Sequence, residues 1–170
     1  MNRKNFLWTI TGSTAGLVLL NNAGAGQTPA QDTPPPFDIT LVKDFVVAGH
    51  KDLSRVQALA AEHPNLVHGK YDWGNGDFEE AIEGAGHMGN REIARFLIDS
   101  GARVTLFVLA MLGKTELVMP VLEAYPRMVF ANGPHGFTLL HHAKLAGAEG
   151  EGLCAYLQEK GLTKTWVKIK

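Results

Sequence analysis

Apolar residues recur at helical spacing along most of this chain. The clearest stripe is Ile93, Phe96 and Leu97, which closes at Gly101-Ala102, where glycine can end a helix in left-handed geometry. Val104 to Leu112 reads as an apolar helix, and Gly113 leads into a second near Glu116 to Ala124. Pro120 lies inside the latter, so that helix either starts late or is kinked. Leu139-Leu140 opens a further helix, with a partner near Leu153 to Lys160. Upstream, Leu41 to His63 holds another pair, and Phe78 to His87 reads as a helix with Asp77, Glu79 and Glu80 at its start. The pattern predicts an all-α domain of about four helix pairs over 39–162. The basic tail, 163–170, alternates: Thr163, Thr165, Val167 and Ile169 against Lys164, Trp166, Lys168 and Lys170. With no partner strand evident, a frayed or back-packed end is expected there rather than a sheet.

The first 25 residues read as a signal peptide. Arg3 and Lys4 give a positive start, Phe6 to Leu20 is mostly apolar, and Ala23-Gly24-Ala25 fits the small-residue rule for cleavage after Ala25. The competing reading is a membrane anchor. Thr9, Thr11, Gly12, Ser13 and Thr14 dilute the run, and Asn21-Asn22 end it short of the roughly 20 residues a span requires. Asn2-Arg3-Lys4-Asn5-Phe6-Leu7 is similar to a twin-arginine leader with Lys4 in place of the second arginine, so both the Tat and Sec routes stay open. The expectation is an exported protein, periplasmic or secreted, with no stable membrane span after cleavage. Residues 26–38, with Pro29 and Pro34-Pro35-Pro36, form a proline-rich linker of polyproline-like character. A ligand for a proline-recognition domain is the functional alternative for it.

Two motifs carry a family resemblance. Gly136-Phe137-Thr138-Leu139-Leu140-His141-His142-Ala143, followed by Gly147, resembles the helix-opening signature of the ankyrin repeat. Ala85-Gly86-His87-Met88-Gly89 echoes it, running into the Ile93 stripe. Leu139 stands where the family has proline, and Lys144 where it has a second small residue. Aligned on the glycine that ends each first helix, the units fall at Gly49, Gly89, Gly113 and Gly147, unevenly spaced, with the third compressed. Pro64-Asn65-Leu66-Val67 is echoed by Pro126-Arg127-Met128-Val129, which hints at a duplicated pair of units. The resemblance covers about residues 41–161. It implies a solenoid of about four stacked helix pairs, projecting loops after the second helix of a unit, and a structural, loop-tying role for His141.

Composition narrows the chemistry. The formal charge of −1 gives no reason to expect nucleic acid or an anionic membrane as partner. Cys154 is the only cysteine, which excludes a disulfide framework or a multi-cysteine metal site; on the apolar stripe of the last helix it reads as a small hydrophobe. No His-Glu-x-x-His and no i,i+4 histidine pair appears, no Gly-x-Ser-x-Gly elbow and no phosphate loop. The reading is therefore no metal, no cofactor and no catalytic residue. Asp77, Glu79, Glu80 and Glu83 read as a solvated helix start.

What remains is recognition. The loop His68 to Asp77 carries Tyr71, Asp72, Trp73 and Asn75; tyrosine and tryptophan are interface anchors, and Trp73 reads equally as a cover for the core. Asn132 and His135 sit in a second loop expected alongside. The resemblance places His87, Met88, Val108, Met111, Leu112 and His142 on the inner face of the stack. So apolar a face either binds a partner or is buried by tight curling of the stack. The favoured expectation is a non-catalytic module that binds an unknown protein through loop tips and inner face. A small-molecule or enzymatic pocket beside the 68–77 loop is the alternative, and an obligate, immunity-like companion of another exported protein is a third.

Overall fold

Each helix begins where a short polar side chain or a turn supplies what the first amides lack. A computed structural model describes residues 34–169. The leader, residues 26–33 of the linker and Lys170 lie outside the described residues. Asp38 accepts from Thr40 N at the start of α1 (Ile39–Gly49), Asp52 from Arg55 N at α2 (Leu53–Glu62), and Asn90 from Ile93 N at α4 (Arg91–Asp99). Ahead of α4, α3 (Ala81–Met88) opens on a capping box between Glu80 and Glu83 and closes on left-handed Gly89. Thr105 caps α5 (Leu106–Met111). Helix α6 (Thr115–Ala124) runs through Pro120, which is exposed, so the lost backbone bond lies on the water side. Helices α7 (Leu139–Leu145) and α8 (Glu151–Glu159) complete the set.

The first helices of the pairs pack in chain order, α1 on α3, α3 on α5, α5 on α7, and each is backed by its own second helix. The predicted pairs are therefore present. Residues 36–169 form one compact unit with two apolar clusters. Phe45, Leu66, Ile82, Ile93 and Leu97 centre the first; Leu122, Leu139, Leu140, Leu153 and Leu157 centre the second. Helix α5 joins them, giving Val108 and Met111 to one and Ala110 to the other. Each such fully buried Leu, Ile or Phe contributes about 1.5–3 kcal/mol by leaving water.

Two glycines show why the chain needs them. Gly136, at φ 82°, takes the left-handed turn, and a side chain there would land on the Val167 carbonyl. Gly49 is the last residue of α1, as expected, but without positive φ; a Cβ there would strike the Ala81 backbone. Its role is close approach of α1 to α3.

The loops depart furthest from expectation. After a 3-10 turn at Pro64–His68 the chain forms an antiparallel hairpin, β1 (Lys70–Asp72) with β2 (Phe78–Glu80), so strand replaces the predicted start of the helix at Phe78. An equivalent 3-10 turn, Pro126–Phe130, follows α6. The tail packs back: Thr138 N donates to Thr165 O, Val167 N to Gly136 O, and Phe137 and Trp166 form an antiparallel bridge. Thr138 starts α7 without capping it, its hydroxyl donating to Lys164 O instead (2.7 Å). Among the described residues no helix is long and apolar enough to cross a membrane.

Candidate functional site

The site lies where the hairpin, the 131–138 loop and the tail meet. Its centre is Glu79 of β2, fully buried. That contradicts the solvated acidic cluster expected from the sequence: Glu79 and Glu80 on strand β2 and Glu83 in the first turn of α3 are all buried. Three histidines from three places surround Glu79: His50 at the end of α1, His87 in the last turn of α3, and His135 in the 131–138 loop. His87 Nε2 lies 2.8 Å from Glu79 Oε1, His50 Nε2 3.5 Å from the same oxygen, and His135 Nε2 3.3 Å from Oε2. The Trp73 indole donates to Oε2 at 2.7 Å. Burial pushes the Glu79 carboxyl up, but the His87 hydrogen bond and the fields of the three imidazoles more than reverse this, leaving it below the usual carboxylate range.

The outer shell is also built. His50 Nδ1 faces Val46 O at 3.0 Å, and His135 Nδ1 faces Asp77 Oδ2 at 2.7 Å. The other Asp77 oxygen accepts His135 N at 2.8 Å, and the Trp166 indole donates to His135 O at 2.6 Å. These bonds hold His135 at φ 58°, a left-handed conformation seldom adopted by residues other than glycine. Phe137 stacks on His87 at 5.0 Å and on His141 at 4.4 Å. His141 Nε2 lies 2.8 Å from His87 O, in the last turn of α3.

Glu80 and Glu83 flank this centre. Lys70 Nζ stands 3.6 Å and 3.7 Å from them, and Arg103 reaches Glu80 at 3.4 Å. Burial holds the Glu83 carboxyl above its ordinary value. A cleft of about 630 Å³ opens beside it, walled by Asp77, Phe78, Phe107, Asn132, Pro134 and the tail at 167–169.

The residues expected to bind a partner divide into three groups. Asp72, Trp73, Asn75 and Asn132 are exposed on the loops, with Tyr71 and His135 half-buried beside them. Trp73 is tied at its nitrogen to Glu79 while 37% of its surface is exposed. Met88 is exposed and Leu112 half-buried. Val108, Met111, His87 and His142 are buried and offer no surface. The inner helices pack so closely that a Cβ on Gly86 would lie 3.2 Å from Val108. Burial pushes the His142 imidazole down to about 4, and its Nδ1 donates to Thr138 O at 2.8 Å. Cys154 is half-buried against the second cluster, its thiol pushed up by burial.

Sequence reasoning missed His50 and Glu79 as site residues and the convergence of all three rings. The four groups come from four separate elements, so no spacing rule joins them. Comparison with family models, curated proteins and solved structures gives no match to this chain.

Proposed function

We propose that this protein is an exported, non-catalytic interaction module of the ankyrin type, and that it binds a protein partner on the surface made by the hairpin, the 131–138 loop and the tail. The observation that carries this reading is the bracing of that surface. Asp77 of the hairpin holds His135 through two hydrogen bonds, and His135 O in turn accepts Trp166 of the tail. Loops fixed in advance lose little conformational entropy on binding, which leaves more of the contact energy as affinity. The hairpin and the tail expose Trp73 (37%), Phe78 (51%) and Trp166 (51%), large rings of the kind that anchor interfaces. The row of helix pairs supports the ankyrin reading, and the leader motif supports export. The buried inner-face residues take no part; recognition falls to the loops.

Photo-crosslinking tests this. A benzophenone amino acid at Phe78 or Trp166 should give one discrete adduct in the extracytoplasmic fraction, lost when Trp73→Ala is added. The same probe at Leu117, exposed on α6, should not give it. Identical adducts from both positions, or none from the loop positions, would count against the reading.

One observation favours the alternative of a small-molecule pocket: the cleft beside the hairpin, with the buried Glu83 carboxyl in its wall. In that reading Glu83→Gln changes small-molecule binding and leaves the crosslinked adduct intact.

A further inference from the structure

From the surroundings of Glu79 we infer a site for one divalent transition-metal ion, held by His50, Glu79, His87 and His135 beneath the recognition surface. One ligand atom from each lies within 4.8 Å of all the others. A neutral imidazole has one N–H and one lone pair. His50 Nδ1 faces a backbone carbonyl and His135 Nδ1 faces a carboxylate, and both partners only accept. The N–H of each neutral ring is therefore spent on its outer side. Each Nε2 then lies near the Glu79 carboxylate, at 3.5 Å and 3.3 Å, with no N–H left to give it. Two lone pairs beside an anion repel unless something positive lies there, either a proton on each ring or one ion shared by both.

The separations identify what fits. Bonds of about 2.0–2.1 Å from an ion to imidazole nitrogen and carboxylate oxygen put tetrahedral ligand atoms about 3.3 Å apart. Two separations are near that figure: His50 from Oε1 of Glu79 and His135 from Oε2. His87 donates straight to Glu79 at 2.8 Å, and its Nδ1 is buried without a partner. That bond opens by about 0.5 Å when the ion enters and the His87 proton shifts from Nε2 to Nδ1. The outer shell is that of a metal centre: a ligating histidine commonly gives its second nitrogen to a carboxylate or a backbone carbonyl, as Asp77 and Val46 provide. Three imidazoles and one carboxylate select zinc, cobalt, nickel, copper or ferrous ions over magnesium or calcium. The doubly charged ion is balanced by Glu79 and Asp77. The side chains of His50 and His135 are 20% and 29% exposed, which gives the ion a route in.

The test uses the untagged, chelator-treated protein. Co²⁺ should produce the visible ligand-field bands of a tetrahedral nitrogen–oxygen site, saturating at one ion per chain, and Zn²⁺ should abolish them by displacement. His50→Ala and His135→Ala should each weaken Zn²⁺ by at least tenfold in a competition titration. Asp77→Asn, which touches only the outer shell, should weaken it by 10- to 100-fold. A double His63→Ala/His68→Ala variant, altering histidines outside the cluster, should bind as wild type. Circular dichroism confirms that each variant is folded; if one is not, the remaining variants carry the comparison. Absence of the cobalt bands, binding unaffected by His50→Ala and His135→Ala together, or equal affinity for Mg²⁺ would overturn the site.

Discussion

At the scale of single residues, chemistry here is set by who faces whom across the fold. His142 is 1% exposed, and burial holds its imidazole at about 4, below the ordinary 6.5. The unfolded chain therefore takes up a proton at a pH where the folded chain does not. Stability from this residue is full above pH 6.5, falls as pH drops towards 4, and levels off below that. The span corresponds to about 3 kcal/mol. Urea unfolding at pH 7 and pH 4 should show His142→Leu losing that much less than wild type on acidification. Equal losses would remove His142 as the cause. This residue also shows the limit of the sequence. A histidine just past the His141 position suggested a wet inner face; only the closeness of α5 and α7 seals it. The acids at 79 and 80 misled similarly, since a carboxylate at a helix start and one buried on a strand read alike along the chain. Scanning for paired histidines finds neighbours on one helix. It does not find a centre drawn from α1, β2, α3 and a distant loop.

At the scale of elements, two glycines test how the site is held. Gly49→Ala pushes α1 off the Ala81 backbone, and α1 carries His50. Overpacking of this kind costs about 1–3 kcal/mol. Thermal unfolding should show that loss together with altered His50 Nε2 chemical shifts; an unchanged melting point would mean α1 is not seated as described. Gly136→Ala meets the Val167 carbonyl and must also hold a positive φ. It should free the tail, seen as loss of exchange protection at Val167 N and faster proteolysis after Thr163, while the α1–α4 core keeps its protection. Much at this scale was legible. The stripe at Ile93, Phe96 and Leu97 and the glycines at 89, 101 and 113 placed the helices well. The hairpin was not, because Phe78-Glu79-Glu80 is a poor strand by itself and forms one only through pairing with Lys70–Asp72.

At the scale of the molecule, the echo of Pro64-Asn65-Leu66-Val67 in Pro126-Arg127-Met128-Val129 marks two 3-10 turns in matching places, each following a second helix. The halves then diverge where function gathers. After the first turn the chain makes a hairpin; after the second it makes the loop that brings His135 across to Asp77. Arg91 at the start of α4 also reaches over, bonding Ala146 O at 2.9 Å and Glu149 at 2.6 Å in the turn between α7 and α8. Proposed surface and proposed metal site both depend on the hairpin, the second loop and the tail behaving as one body. Amide hydrogen exchange measures this most directly. The amides of Trp73 (to Asp77 O), Gly133 (to Phe137 O), Thr138 (to Thr165 O) and Val167 (to Gly136 O) should open with a common free energy. Asp77→Asn should lower all four together, by about 1.5–3 kcal/mol, the usual worth of a hydrogen bond to a charged group. Independent opening of hairpin and tail, or a loss confined to the hairpin when Asp77 is changed, would contradict the account.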